Sequence, residues 1–388
     1  MSLYPRPESE IHNRGWGAFG VHQPALDDFP FQVWSNLVAR HSRNPQASVL
    51  HNVSRLGSRR FREEISSYLR TARAVKCDPS QIMVVSGSQQ ALDITTRVLL
   101  DRGDPVLIEE PGYALERTVL TAAGCRLNPV PVDQEGMDVA LGIRRYPTAR
   151  AAFVTPSHQF PLGSTMSAAR RLLLLNWAQK SGSWIVEDDY DSEYRFDAQP
   201  IASLQGLDVN ERVIYIGTFS KVLFPSLRIG YLVIPRDLIE RFCSVRYAMD
   251  IFPPYLFQEV LADFMGQGHF GRHIRKMRQI YGSRRALLIE SMQKEFGDRL
   301  EILGTASGMH VTVTLPSDSD DREIADRAAR ERLWLWPLSP CYVRKERKQG
   351  FVLGYGSTPE SQIQAAVRCF RSIVDTSPKS NSAVESER

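Results

Sequence analysis

Residues 217–231 read GTFSKVLFPSLRIGY. Apolar RVIYI (212–216) precedes the stretch and apolar YLVI (231–234) closes it. Lys221 therefore stands in a small, hydroxyl-rich turn between two predicted strands, with Arg228 seven residues on. A lysine at a strand end is ordinary when solvated. Taken alone, the window reads as an exposed loop; the remainder of the chain decides whether it is more.

The chain has 388 residues, 43% of them hydrophobic, enough for a sizeable core and for two to three domains. Its 48 basic residues against 44 acidic ones leave a net charge of +4, too small an excess to argue by itself for nucleic acid or membrane. The five cysteines (Cys77, Cys125, Cys243, Cys341 and Cys369) are scattered and never form CxxC, which fits a reducing, cytoplasmic setting and argues against a disulfide framework or a cysteine zinc site. The apolar run LLLL (172–175) is far too short to span a bilayer, and the polar start MSLYPRPESEIHNRG lacks the apolar core of a signal peptide.

Strand-like and helix-like segments alternate through most of the chain. Predicted strands at 81–88, 105–110, 151–156, 183–190, 212–217 and 228–234 are separated by helical patterns, among them QQALDITTRVLLDRG, a helix near 114–123 and one from Ser167 to Lys180. Short apolar runs spaced by helices predict an α/β fold with a mostly parallel sheet covered on both faces. After Pro254 the pattern changes to two long helices (255–266 and 269–296), strands at 309–315 and 350–355, and a closing helix near 359–373, an α+β arrangement. The expected division is a polar, disordered start (1–14), a segment 15–44 packing on the smaller unit, a large domain 45–254, a small C-terminal domain 255–374 and a disordered tail 375–388.

In an open α/β sheet ligands sit beyond the carboxyl ends of the strands. There the strand 81–86 runs into Ser86-Gly87-Ser88-Gln89-Gln90, which reads either as a plain N-cap or as backbone N–H groups offered to an anion. Strand 183–187 ends in Asp188-Asp189-Tyr190-Asp191, where three carboxylates cannot all be buried without a cation. An exposed acidic loop, a Mg²⁺ site and a carboxylate meeting a ligand cation all fit. Thr218, Ser220 and Arg228 are placed to complete a phosphate site begun by Ser88. Pyridoxal phosphate would use all of these at once: a lysine for its Schiff base, a carboxylate for its pyridinium nitrogen, an anion site for its phosphate and an aromatic ring against its face. Lys221 and Tyr113 supply the first and last of these, and the cationic Arg228 would help lower the Lys221 pKa. There is no GxGxxG after a strand and no GxxxxGK[ST]. His269 and His273 lie in GHFGRHIRKMR without a nearby carboxylate and read as part of a basic helix face, so no metal site is expected; Arg272, Arg275, Lys276 and Arg278 fit a solvated face as readily as a nucleic-acid patch.

The ordered motifs SGSQQALD (86–93), EEPGY (109–113), TPSHQFPLG (155–163), EDDYDSEYR (187–195), GTFSK (217–221), LRIGY (227–231) and GHFGRHIRKMRQIYGSRR (268–285) carry a resemblance. Over about residues 15–373 the chain resembles the fold-type I pyridoxal-phosphate enzymes, and in particular the aminotransferase-like domain of MocR-type regulators of the GntR superfamily. The resemblance implies a seven-stranded-type, mostly parallel sheet in a large domain, a smaller α+β domain, and a homodimer. It implies that Lys221 forms the internal aldimine, Asp188 pairs with the pyridine nitrogen, Tyr190 contacts the phenolic oxygen and Tyr113 stacks on the ring. Ser88, Gln89, Thr218, Ser220 and Arg228 would hold the phosphate.

Departures from the family pattern bear on function. Where aminotransferases carry Asn-Pro-Thr-Gly this chain reads Phe160-Pro161-Leu162-Gly163, with His158 placed to compensate. Where they hold the substrate carboxylate with a strand arginine it has Val352, leaving Arg344 and Arg347 of a nearby charged loop as substitutes. A tyrosine that reaches a partner's phosphate is replaced by Asn52. MocR regulators carry a winged-helix DNA-binding domain ahead of this unit; about 14 polar residues precede it here, so no specific DNA contact by this chain alone is expected. The reading is an effector-sensing domain that takes an amine or amino acid onto the cofactor. The alternative is a free-standing aminotransferase acting on an amino acid and a 2-oxo acid, with Lys221 as its proton-shuttling base and Tyr190 beside it.

Overall fold

The computed structural model describes residues 17–43, 54–196, 202–344 and 346–377. Expectations for residues 1–14, for Asn52 and for the tail beyond 377 lie outside the described residues. The main layer is an eight-stranded sheet: β1 (Ile82–Val85), β2 (Pro105–Glu110), β3 (Arg126–Asp133), β4 (Gly136–Met137), β5 (Ala151–Val154), β6 (Trp184–Asp189), β7 (Val213–Thr218) and β8 (Gly230–Val233), in the order β1-β8-β7-β6-β5-β2-β3-β4. β3, β2, β5, β6 and β7 run parallel, β8 is antiparallel to both neighbours, and β4 is a two-residue return on the far edge. Seven strands of ordinary length thus form the mostly parallel sheet. A second, antiparallel sheet of β9 (Glu301–Leu303), β10 (His310–Thr314), β11 (Trp336–Pro337) and β12 (Gly350–Gly354) has the order β11-β12-β10-β9.

The helices are α1 (Phe31–Arg43), α2 (Arg59–Arg73), α3 (Ser88–Leu99), α4 (Ala114–Ala122), α5 (Val139–Arg145), α6 (Ala168–Ser181), α7 (Leu204–Leu207), α8 (Ile239–Asp250), α9 (Leu256–Gly266), α10 (His269–Phe296), α11 (Asp321–Arg330) and α12 (Glu360–Asp375). Their ends carry expected chemistry. Ser167 caps α6 by accepting from the Arg170 N–H, and Gly182 closes it at φ 68°. Among the described residues no helix is long and apolar enough to cross a membrane.

Period-two alternation divides the large sheet's side chains between two faces. Met83 and Val85 join Ile214, Ile216 and the α3 residues Leu92 and Ile94, whereas Ile82 and Val84 join Phe61, Ile65 and Leu69 of α2. That second cluster continues without a break into α9, α10, α12, β10 and β12, so one core links the two sheets. The sequence reading missed β3 because Asn128, Pro129 and Pro131 contradict a strand. Its outer neighbour is only two residues long, so the missing proline N–H groups go uncalled for. It also missed α2, α5, α8 and α11, and ran the first strand to residue 88, where the chain has already turned at Gly87 into α3.

Asp263 of α9 ties three elements together. Its carboxylate accepts from Arg40 and Arg60 and lies 2.7 Å from His41 Nε2. Burial alone would raise its pKa, but His41, Arg60 and Arg40 hold it below the ordinary aspartate value. A depressed folded-state pKa stabilises above the unfolded value, and that stabilisation is lost as pH falls through the folded one. Asp263→Ala is therefore expected to cost about 2 kcal/mol in denaturant unfolding at neutral pH, discounted for the half-exposed arginines. The gap to the parent closes as pH drops below the ordinary aspartate range.

Candidate functional site

Strand register assembles the site. Val85 pairs with Gly230, Gly230 with Thr218, and Gly217 with Asp189, so the ends of β1, β7 and β6 and the start of β8 meet at one edge. Gly87 sits at φ 99° as the N-cap of α3, and a Cβ there would lie 3.3 Å from the Arg228 guanidinium. Arg228, which the sequence placed at the start of a strand, instead occupies a left-handed turn at φ 50°, two residues before β8. Its cation thus faces the amino end of a helix, where free N–H groups already favour an anion. Ser88 opens that helix and Gln89 follows. Thr218 and Ser220 are buried beside them, the Ser220 N–H donating to Thr218 Oγ1 at 3.2 Å.

The three carboxylates after β6 separate by partner. Asp189 accepts from Arg73 Nε at 2.8 Å and from the Tyr215 hydroxyl at 2.6 Å. Asp191 lies 3.1 Å from His158 Nδ1 and accepts from the Met309 N–H at 3.0 Å. Asp188 is buried, and its Oδ1 has no hydrogen-bond partner among the described residues. Burial, reinforced by the charge of Asp189, raises its pKa to about 7 against the pull of Lys221. Gln89 Nε2 and Ser220 Oγ are likewise buried without a partner among the described residues. The three atoms belong to the start of α3, the end of β6 and the turn after β7, which the strand register brings to one edge of the sheet.

Lys221 lies within this field. Burial and then the Arg228 cation lower its pKa to about 8, while Asp188 and Asp191 act in the opposite direction. Tyr113 is half-buried and edge-on to Phe160, with ring centroids 5.7 Å apart. Burial raises the Tyr113 pKa, and Asp188 adds to the rise. The Tyr190 hydroxyl donates to the His158 carbonyl at 2.9 Å. The His158 ring fits only because residue 308 is glycine, at φ 81°; a Cβ there would overlap the imidazole. His158, Asp191 and His310 bring ligand-type atoms within 4.8 Å of one another. His310 Nε2 lies 3.2 Å from Pro161 O, while His158 Nε2 and His310 Nδ1 are buried without a hydrogen-bond partner among the described residues.

Arg344 and Arg347 stand apart from this group. The Arg344 guanidinium donates to Pro129 O at 2.8 Å, on the β3 edge, and exposed Arg347 donates to Arg344 O at 3.1 Å. The sequence reading overlooked Arg73, Tyr215 and Glu109. Glu109 is buried, accepts from Thr155 Oγ1 at 2.6 Å and has its pKa raised to about 7 by burial. It was legible as the first glutamate of EEPGY; Arg73 was not, since its partner lies 116 positions away.

A lysine, a buried carboxylate and a guanidinium facing a helix N-terminus thus lie at adjoining strand ends of an open, mostly parallel sheet, the architecture of a ligand-binding α/β protein. Among solved structures the chain is similar to LysN, the α-aminoadipate aminotransferase of Thermus thermophilus, complexed with N-(5'-phosphopyridoxyl)-L-leucine. The TM-score is 0.88 at 25% identity, covering 96% of this chain and 95% of that one. Residues 27–367 match the family described as aminotransferase class I and II, and the chain belongs to that family. It is 38% identical over 355 residues to the probable rhizopine catabolism regulatory protein MocR of Rhizobium meliloti, covering 92% of this chain and 72% of that protein. It is 34% identical over 360 residues to the uncharacterized HTH-type transcriptional regulator YhdI of Bacillus subtilis, covering 92% of this chain and 76% of that protein.

In protein stripped of small molecules, the pH dependence of Lys221 acylation, followed by mass spectrometry, is expected to have its midpoint near 8. Arg228→Gln removes a cation and should move that midpoint up. Asp188→Asn removes an anion and should move it down. A midpoint unmoved by Arg228→Gln would contradict the placement of that guanidinium.

Proposed function

We propose that this chain is the pyridoxal-phosphate-binding, aminotransferase-like effector domain of a MocR/GntR-type regulator, taking an amine or amino acid onto its cofactor at Lys221. One observation carries the reading. The buried atoms Gln89 Nε2, Ser220 Oγ and Asp188 Oδ1, without partners among the described residues, belong to the same strand-end edge as a lysine whose pKa is lowered to about 8. Bound there, pyridoxal phosphate supplies an electrophilic carbon and a pyridinium that withdraws electrons. Lys221, partly deprotonated near neutral pH, is the residue to hold that carbon. Asp188 supplies the anion for the pyridinium nitrogen, and Asp189 is kept from competing by Arg73. Tyr113 supplies a ring face, and Tyr190 with His158 meets the phenolic oxygen. Ser88, Gln89, Thr218, Ser220 and Arg228 take the phosphate.

The regulator reading is supported by the relatives that carry this unit and by Val352, an apolar side chain where aminotransferases place an arginine. Ligand capture would shift the population of states that DNA-binding elements sense. Homodimerisation in the cytoplasm belongs to the same proposal. Tyr247, Met249, Ile251, Phe252, Leu256 and Phe257 are exposed along 247–257, an apolar surface suited to a second copy. The aminotransferase alternative is favoured by the complete lysine, aspartate and tyrosine set, with Arg344 or Arg347 then left to hold a substrate carboxylate.

The purified protein is expected to be yellow, and borohydride reduction should fix the cofactor on Lys221, as seen by peptide mass; Lys221→Ala loses that adduct. If a variant lacking Lys221 kept the same covalent cofactor, the assignment would fail. With amino donors and a 2-oxo acid, spectral change without sustained turnover is expected. Multiple turnover near the ~10 s⁻¹ usual for enzymes would promote the aminotransferase.

A further inference from the structure

We infer that Arg246 is a positioning residue for the anion site at the start of α3. It grips the turn through Gln90 and supplies positive charge behind it, which Asp250 offsets from the surface. The inference rests on the proposed seat of the cofactor phosphate at this turn and adds a buried charge that sets how tightly the phosphate is held.

α8 buries Phe242 and Cys243 against α3 and the large sheet, after Leu238 just ahead of it. Three and four residues on, the same stripe reaches position 246, where an amphipathic helix places another apolar side chain. The residue there is an arginine with no exposure at all. A guanidinium taken out of water is strongly unfavourable unless its charge and its N–H groups are met. Arg246 is met only in part. Its Nη1 donates to Val84 O at 3.2 Å and to Gln90 Oε1 at 3.1 Å. Its Nε lies 2.6 Å from Asp250 Oδ1, an ion pair one helical turn apart that does not reach hydrogen-bond geometry. Its Nη2 has no hydrogen-bond partner among the described residues.

The two acceptors of Nη1 bracket the turn. Val84 belongs to the end of β1, and Gln90 is the third residue of α3. Gln90 Oε1 also accepts from the Ser86 N–H at 2.8 Å, while its Nε2 donates to Asp250 Oδ2 at 2.8 Å. A third-position glutamine that reaches back over the start of its helix is a known way to fix the entering chain. The Ser86 N–H is thereby used up. The first N–H to reach back within the helix is that of Ala91, to Gly87 O at 3.2 Å, so those ahead of it have no partner in the helix. Arg246 and Gln90 thus hold the chain from residue 84 to residue 90 in the form that offers those groups to an anion.

The charge acts as well as the contacts. Burial lowers the Arg246 pKa and Asp250 draws it back up, and an arginine stays charged at neutral pH. Asp250 is 37% exposed, so water screens it, whereas Arg246 is screened by nothing. The pair therefore leaves positive charge on the α3 side, added to the helix amino end and to Arg228. Other guanidinium groups near α8 are engaged elsewhere. Arg62 donates to the carbonyls of Gly57 and Pro79, and Arg55 lies over the Tyr247 ring.

The full chain, stripped of small molecules, is titrated with pyridoxal phosphate and separately with pyridoxal, which lacks the phosphate. Absorbance follows binding, and borohydride reduction with peptide mass confirms the adduct on Lys221. The parent is expected to bind both and to prefer the phosphorylated form. Arg246→Met should weaken pyridoxal phosphate roughly tenfold, the size expected of one charge some ten ångströms away at intermediate dielectric, and leave pyridoxal unmoved. Arg246→Lys, which keeps the charge, should recover most of the loss. Asp250→Asn keeps an acceptor for Gln90 but removes the opposing charge, so it should tighten pyridoxal phosphate alone. Asp250 is at the surface, and this variant carries the test even where Arg246→Met does not fold. Equal weakening of both ligands by Arg246→Met, as a merely structural role would give, overturns the inference. So does Asp250→Asn that leaves the affinity for pyridoxal phosphate unchanged or lower. A parent that forms no Lys221 adduct with either ligand removes the Lys221 reading, and one that shows no preference for the phosphorylated form removes the phosphate seat; each takes this inference with it.

Discussion

Arg73 ends α2 with its guanidinium inside the molecule, 2.7 Å from Asp189 Oδ2, which also accepts the Tyr215 hydroxyl. Either charge buried alone would be strongly unfavourable, so the pair holds only while both elements stay in place. It locks the last turn of α2 to the end of β6. Successive strand residues face opposite sides of a sheet. With Asp189 committed to the α2 face, Asp188 is turned to the other, into the electrostatic field it shares with Lys221. Asp191, two residues further on, is occupied by His158 and the Met309 N–H. The carboxylate that remains for a ligand is selected by how its neighbours are neutralised.

Much of this was legible locally. The parallel strands β5, β6 and β7 are covered on both faces and therefore read as plain apolar runs. The site motifs fall at their ends because that is where backbone groups are left for ligands. β3 was hidden by its two prolines, tolerable only beside a two-residue edge strand that the sequence does not announce. α2 was hidden by its charge, although Phe61, Ile65 and Leu69 repeat at helical spacing. The ion pairs Arg73–Asp189 and Arg40–Asp263 join positions more than a hundred residues apart, beyond any local pattern. Arg344 lies near β12 in the chain, but the fold carries its guanidinium to the β3 edge.

Fold and cofactor residues do not separate a sensor from an enzyme, because both need the cofactor held in the same way. The difference must lie in what faces the rest of the ligand. Rapid proton transfer at a substrate carbon requires that carbon to be held in one orientation, and a rigidly mounted bidentate contact does this best. β12 is fully buried and carries Val352, an apolar side chain that cannot make such a contact.

One apolar cluster joins two parts of the molecule. Phe160 follows β5 of the large sheet, whereas His22 is carried on a strap hydrogen-bonded to β12 and to the segment just before β11 of the small sheet. Their rings are in contact, with centroids 5.2 Å apart, so the strap is packed directly against the strand ends of the large sheet. Phe19 and His22 keep their positive φ only while such contacts enforce it, which makes the conformation of the strap depend on the packing between the two sheets.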